Sequence, residues 1–247
     1  SWVFGMVEEI STENSKVRRI NLNHGRSVSC RVAIITTGTF LNGLIHIGAE
    51  QTVAGRAGEP AATALAESIR GFGFRMGRLK TGTPPRLHRR SIDFEKGVRC
   101  GVFHVEQGDA TPVPLSFMTG RIEQSQVHCH QLFTNEKVHQ LVRDHERESP
   151  LYNGQILGVG PRYCPSLEDK VLKFPHRERH HVVLEPEGVD DDQIYVNGLS
   201  MSLPRDIQQR IVNVMPGLKD AEMIRPAYAV EYDFVQPTEL RPTLETK

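Results

Sequence analysis

The chain has 247 residues with 30 Lys and Arg against 30 Asp and Glu, so its formal net charge is zero, and 38% of it is apolar. That composition is globular, and the charge balance excludes a histone-like tail or a uniformly basic nucleic-acid binder but not a local basic patch, while 6% aromatics leave little for a base-stacking platform. The longest strongly apolar run, residues 32–35, falls far short of the ~20 residues of a transmembrane helix, and the length fits one or two domains.

Residues 2–7 and 16–22 alternate as strands around turn-forming residues 11–15. A further strand is expected over residues 28–37, where Val32-Ala33-Ile34-Ile35 runs into Thr36-Thr37-Gly38-Thr39. An apolar strand ending in Thr-Gly reads as a buried sheet strand whose end meets a ligand, or simply as a strand before a turn. Next comes the turn Gly55-Arg56-Ala57-Gly58-Glu59, which suits a phosphate with Arg56 as counter-charge. A helix is predicted over residues 60–70, with Pro60 in its first turn and Gly71 at its end. Ala62, Leu65, Ile69 and Phe72 share one face of it.

Residues 75–90 are the most basic stretch: Arg75, Arg78, Lys80, Arg86, Arg89 and Arg90 occur with no acid among them. Thr81-Gly82-Thr83-Pro84-Pro85 inside it cannot be helical, because proline lacks the N–H and holds the preceding residue extended. Backbone N–H groups, hydroxyls and cations there suit a polyanion, and a solvated basic loop is the plain alternative. Residues 91–130 read as loop with short strands. A helix is predicted over residues 134–145, capped by Asn135 and buried through Val138, Leu141 and Val142.

The most informative segment is Gly158-Val159-Gly160-Pro161-Arg162-Tyr163-Cys164-Pro165-Ser166-Leu167-Glu168-Asp169-Lys170. Ser166 and Asp169 have the spacing of a capping box. Cys164 lies just before that helix start, between Arg162 and Lys170, and helix dipole and cations both favour thiolate. A buried inert cysteine is the ordinary alternative, and the residues alone leave both open. Cys30, Cys100, Cys129 and Cys164 form no CxxC pair, so a zinc site of usual spacing is not expected, and the thiols read as reduced. His176, His180 and His181 also lack ligand spacing, so no metal is predicted. Strands are expected over residues 182–186 and 227–234. Between them a helix is expected over residues 203–215, capped by Ser202 or Pro204 and ended by Gly217.

Together these segments resemble the GidA/MnmG family of flavoproteins that modify the wobble uridine of certain tRNAs. The resemblance is carried by Thr37-Gly38-Thr39-Phe40-Leu41-Asn42-Gly43, Ile45-His46-Ile47-Gly48, Gly55-Arg56-Ala57-Gly58-Glu59 and Gly77-Arg78-Leu79-Lys80-Thr81-Gly82-Thr83-Pro84-Pro85-Arg86. It continues through Thr134-Asn135-Glu136-Lys137, residues 160–171, Leu184-Glu185-Pro186-Glu187-Gly188 and Thr243-Leu244-Glu245-Thr246-Lys247. The match runs from about Gly5 to Lys247. One departure is Cys129-His130-Gln131-Leu132-Phe133-Thr134-Asn135, where relatives read Cys-Tyr-Ile-Thr-His-Thr-Asn. The family's first nucleotide-binding glycine motif and its second functional cysteine have no counterpart, so the expectation is an internal fragment, inactive alone.

The resemblance implies an α/β architecture: part of a glutathione-reductase-like FAD-binding domain with an inserted α/β domain that handles NADH. The implied division is 1–86 and 227–247 for the FAD part and 87–226 for the insert. It implies FAD contacts at Thr37, Gly38, Thr39, Gly55, Arg56, Gly58, Glu59, Lys80, Thr81, Gly82 and Thr83. NADH contacts are implied at Gly160, Pro161, Arg162, Tyr163 and Lys170, and Cys164 matches a functional cysteine. Methylenetetrahydrofolate is the implied one-carbon donor, tRNA the substrate and an MnmE-family GTPase the partner of a homodimeric enzyme. The implied location is cytoplasmic, or mitochondrial in a eukaryote, with no membrane association. Two other readings are a folate- and flavin-dependent methyltransferase of the tRNA T-loop uridine, and a non-catalytic NADH- or RNA-binding module.

Overall fold

The computed structural model describes residues 2–106, 108–162 and 164–247. The chain folds as mixed α/β in two compact units. The first unit comprises Ser1–Thr81, Gly154–Cys164 and Ala229–Lys247, and the second comprises Gly82–Asn153 and Pro165–Tyr228.

The first unit opens with β1 (Val7–Glu13), β2 (Lys16–Leu22) and β3 (Ser27–Ser29), an antiparallel meander. Asn14 and Ser15 both have positive φ, the backbone a two-residue hairpin turn requires. The turn is therefore shorter than expected, and Ser11 and Thr12 belong to β1. Its second sheet has the order β5 (Glu50–Val53), β4 (Leu44–Ile47), β13 (Tyr228–Val235), β6 (Met76–Thr83). The helix α1 (Thr63–Gly71) packs on β1 through Leu65, Ala66 and Ile69, around Ile10 and Leu41.

Three further expectations fail in this unit. Residues 32–37 form no strand, and Val32 and Ile34 are 73% and 87% exposed. An apolar run becomes a buried strand only when neighbours cover it, and among the described residues none pairs with it. The helix also starts at Thr63 rather than Pro60. Ala62 is held outside the helical region by a parallel bridge to Leu41 and by donating its N–H to Phe40 O, which delays the first turn. Phe72 is exposed, outside the buried face.

The second unit is built on a six-stranded antiparallel sheet. Its strands are β7 (Arg86–His88), β8 (His104–Glu106), β9 (Cys129–Phe133), β10 (His181–Pro186), β11 (Gln193–Asn197) and β12 (Met223–Arg225), in the order β12-β7-β11-β10-β9-β8. Its helices are α2 (Phe94–Arg99), α3 (Glu136–Asp144), α4 (Leu167–Lys173) and α5 (Arg205–Asn213). The core joins Leu132, Leu184 and Ile194 of the sheet to Val138, Leu167 and Ile211 of the helices. Asn135 caps α3 by accepting from Val138 N–H, and Ser166 with Asp169 closes a full capping box on α4.

The helix α2, which the loop-rich reading missed, is capped by Asp93. For α5 the expected Ser202 cap is absent. Ser202 gives its N–H and hydroxyl to buried Glu168 instead, and Pro204 stands at the cap position.

The unit boundaries differ from the implied division at 86/87 and 226/227. The change falls after Thr81 and after Tyr228, and residues 154–164 belong to the first unit. The physical reason is a parallel bridge between Leu79 and Val159: Lys80 N–H donates to Val159 O at 3.0 Å and Val159 N–H to Arg78 O at 3.2 Å. Among the described residues no helix is long and apolar enough to cross a membrane, and no three His, Cys, Asp or Glu side chains are grouped to hold a metal ion.

Candidate functional site

Cys164 ends the segment Gly154–Cys164 of the first unit. The bridge to Leu79 lays this segment beside β6, and Cys164 N–H turns back to Pro161 O at 3.3 Å. The sulfur then lies 3.3 Å from the hydroxyl of Thr81, the last residue of β6 in this unit. Burial foremost, then the electrostatic influence of Cys164, pushes the phenol of Tyr232 on β13 up, so Tyr232 keeps its proton.

What fixes the segment is a buried polar network rather than an apolar core. Glu231 is 3% exposed, and its Oε1 accepts from Leu157 N–H at 2.9 Å and Gly158 N–H at 2.6 Å. A side chain at 158 would meet the Leu79 backbone at 2.9 Å, so only glycine lets the strands approach this closely. Glu231 Oε2 lies 2.9 Å from Nε2 of His46, which is fully buried. Nδ1 of His46 lies 2.9 Å from the Gln155 amide nitrogen, which also donates to Gly48 O. These partners assign the tautomer: Nε2–H donates to Glu231 and Nδ1 accepts from Gln155. Burial, its largest cause, lowers the His46 pKa against the opposing pull of Glu231, consistent with a neutral ring.

Two residues along β13, Asp233 accepts from Arg70 and Arg78 at 2.7 Å each and from Asn42 at 3.1 Å. The basic stretch is therefore not a bare cationic surface. Arg75 pairs with Glu239 and Arg78 with Asp233, and Lys80 is buried. In the second unit Arg86 pairs with Glu187 and lies over the Tyr195 ring, Arg90 pairs with Asp192, and Arg89 donates to Val189 O. The acids absent from the local sequence arrive from residues 187–239.

The other implied contacts separate into three places. Thr37 precedes the 3-10 turn Gly38–Phe40, and the Thr39 hydroxyl donates to Gly55 O at 2.7 Å, which joins the first two glycine motifs. Gly58 and Gly38 have positive φ and open space where a Cβ would stand, while Arg56 and Glu59 form an exposed ion pair. Such a corner, with approachable backbone N–H groups and a cation at its rim, fits a phosphate-bearing cofactor.

Gly82 and Thr83 lie in the second unit, where the Thr83 hydroxyl accepts from Arg86. Gly160, Pro161 and Arg162 lie in the first unit and Lys170 in the second, donating to Gly198 O. Tyr163 lies outside the described residues. Cys30, Cys100 and Cys129 are free thiols, and burial with Glu185 and Glu106 pushes the Cys129 thiol up. The sequence reading missed Glu231, Asp233, His46 and Gln155. The available signal was the acid alternation Glu231-Tyr232-Asp233 on a strand, facing an acid-free basic stretch elsewhere in the chain.

Residues 3–247 match the family model described as Glucose inhibited division protein A. The chain belongs to the GidA family. A relative from Thermodesulfovibrio yellowstonii, a tRNA uridine 5-carboxymethylaminomethyl modification enzyme MnmG, is 52% identical over 242 residues, 98% of this chain and 38% of the relative. The protein of that name from Syntrophobacter fumaroxidans is 48% identical over 98% of this chain and 37% of its own length. The solved structure of Aquifex aeolicus GidA in its form I crystal superimposes with a TM-score of 0.87 at 45% identity, covering 98% of this chain and 41% of that one. The chain thus spans about two fifths of the length of these GidA relatives.

Proposed function

We propose that this chain is the cysteine-bearing part of an enzyme that modifies C5 of the tRNA wobble uridine. The carrying observation is the 3.3 Å approach of Thr81 Oγ1 to Cys164 Sγ on a rigid, hydrogen-bonded segment, in a member of the GidA family. C5 of uracil is a poor nucleophile. Addition of the Cys164 thiolate at C6 forms an S–C6 bond and moves the ring electrons onto C5 and the O4 carbonyl, which makes C5 able to attack a one-carbon electrophile. Thr81 orients the sulfur. The one-carbon unit comes from methylenetetrahydrofolate. FAD, reduced by NADH, supplies the two-electron chemistry when bound.

Thr37, Gly38, Thr39, Gly55, Arg56, Gly58 and Glu59 would hold the phosphates and adjoining parts of the flavin cofactor, with Lys80 and Thr81 nearer the chemistry. An MnmE-family GTPase, a homodimeric assembly and a cytoplasmic or mitochondrial setting complete the reading. The test is Cys164→Ser in a full-length enzyme bearing this sequence. Modified wobble nucleoside per folded, flavin-loaded molecule is measured by nucleoside mass spectrometry. Loss of modification with flavin content kept is expected, and near-normal modification overturns the reading.

A further inference from the structure

The second unit carries a cavity of about 670 Å³ that neither the cysteine site nor the glycine corners use. It lies where β9, the end of α4 and the run His176-Arg177-Glu178-Arg179-His180-His181 meet. Its lining holds Lys170, Arg177 and Arg179 with three imidazoles, against Glu178 as its one carboxylate. The Arg179 guanidinium is stationed 4.2 Å over the Phe133 ring, and His181 packs against the edge of the same ring. Stacking holds the guanidinium plane in place, so less side-chain freedom is lost when it meets an anion. His180 is anchored by its backbone N–H to the Thr134 hydroxyl, its ring lies against His139, and its Nε2 is buried with no hydrogen-bond partner.

The rim is open. Arg177, Arg179 and His181 are exposed, and Phe174 keeps 46% of its surface in water. A small cofactor is normally enclosed over 70–90% of its surface, as a rough guide, whereas a polymer backbone lies across an open groove with cations and one ring face.

We propose that this trough, lined by Lys170, Phe174, Arg177, Arg179, His180 and His181, docks the ribose-phosphate backbone of RNA. The proposal rests on the tRNA reading above and adds where the substrate is gripped. Arg177 and Arg179 take phosphate oxygens, and the exposed Phe174 face receives an unstacked base. The grip is insensitive to base identity, because every base has a π face and every nucleotide a phosphate.

The test titrates a fluorescent unmodified tRNA transcript into the 247-residue chain at several salt concentrations. It compares the parent with an Arg177→Gln/Arg179→Gln double variant and with Arg177→Lys. The expected result is a roughly tenfold weaker double variant whose log–log salt slope is shallower by about 1.5, with Arg177→Lys near parental. Unchanged affinity and slope, or no binding by the parent, overturns the proposal. So does a double variant with parental tRNA affinity and weakened NADH binding, measured by nicotinamide fluorescence, since the trough would then serve a dinucleotide. The Cys164→Ser assay fails separately: tRNA gripped here with modification intact sinks only the cysteine role. Normal parental chemistry with no effect at the trough sinks only this one.

Discussion

Thr81 Oγ1 lies 3.3 Å from Cys164 Sγ, although the two residues are 83 positions apart. Thr81 reaches that place as part of β6, and Cys164 through the Leu79–Val159 bridge, so a strand and a bridged segment set the sulfur.

Removing the hydroxyl tests what it does. Thr81→Val keeps the shape and deletes the hydrogen bond. We expect alkylation of Cys164 by iodoacetamide, followed by peptide mass spectrometry, to change roughly fivefold, the equivalent of about 1 kcal/mol for one hydrogen bond. A rate equal to the parent's shows that the contact does not act on the sulfur.

Glu231 is the acceptor on which the segment hangs. Glu231→Ala strands the Leu157 and Gly158 N–H groups and leaves His46 without its acceptor, at an expected cost of about 1–3 kcal/mol for each buried donor left unpaired, read in urea unfolding. Glu231→Gln costs less but is not neutral. Its amide N–H would face His46 Nε2–H, and the other tautomer would set Nδ1–H against the Gln155 amide. Stability within experimental error of the parent in both variants removes Glu231 from this role.

Gly158→Ala places a methyl 2.9 Å from the Leu79 carbonyl carbon and oxygen. Backbone cannot yield as a side-chain tip does, so we expect a loss of about 1–3 kcal/mol and a changed Cys164 alkylation rate. A crystal structure of the variant with the Leu79–Val159 bridge unmoved and parental stability contradicts this.

Four imidazoles give the protein a defined pH response. His46, His130, His139 and His180 all have pKa values lowered, with burial the largest cause in each. In the unfolded chain each titrates near the ordinary value of about 6.5. Below that pH the unfolded state takes up protons that the folded state refuses, so stability falls as pH drops through about 6.5 toward the depressed folded values. We expect a lower urea midpoint at pH 5.5 than at pH 7.5. An equal or higher midpoint at pH 5.5 runs against the sign.

Ser166→Ala removes one arm of the α4 capping box and should cost about 1 kcal/mol in the second unit. Hydrogen exchange confined to α4 reads this out, and unchanged protection there contradicts it.

Signals that operate within one turn were legible in the residues. Asn135 and the Ser166–Asp169 pair mark helix starts because a cap and its N–H lie three residues apart. Proline forbids helix over residues 83–85 whatever surrounds it. The family was legible too, since its long motifs survive as contiguous residues. The tertiary structure alone decided that residues 32–37 stay unpaired, that Ala62 is held non-helical, and that Gly154–Cys164 joins the first unit. It also decided that the acid-free basic stretch finds its acids, as Arg78 does at Asp233, 155 residues away. Such pairings follow from which strands become neighbours. Strand neighbours are chosen by burying apolar faces and satisfying backbone groups across the whole chain, a balance that no local window of residues contains.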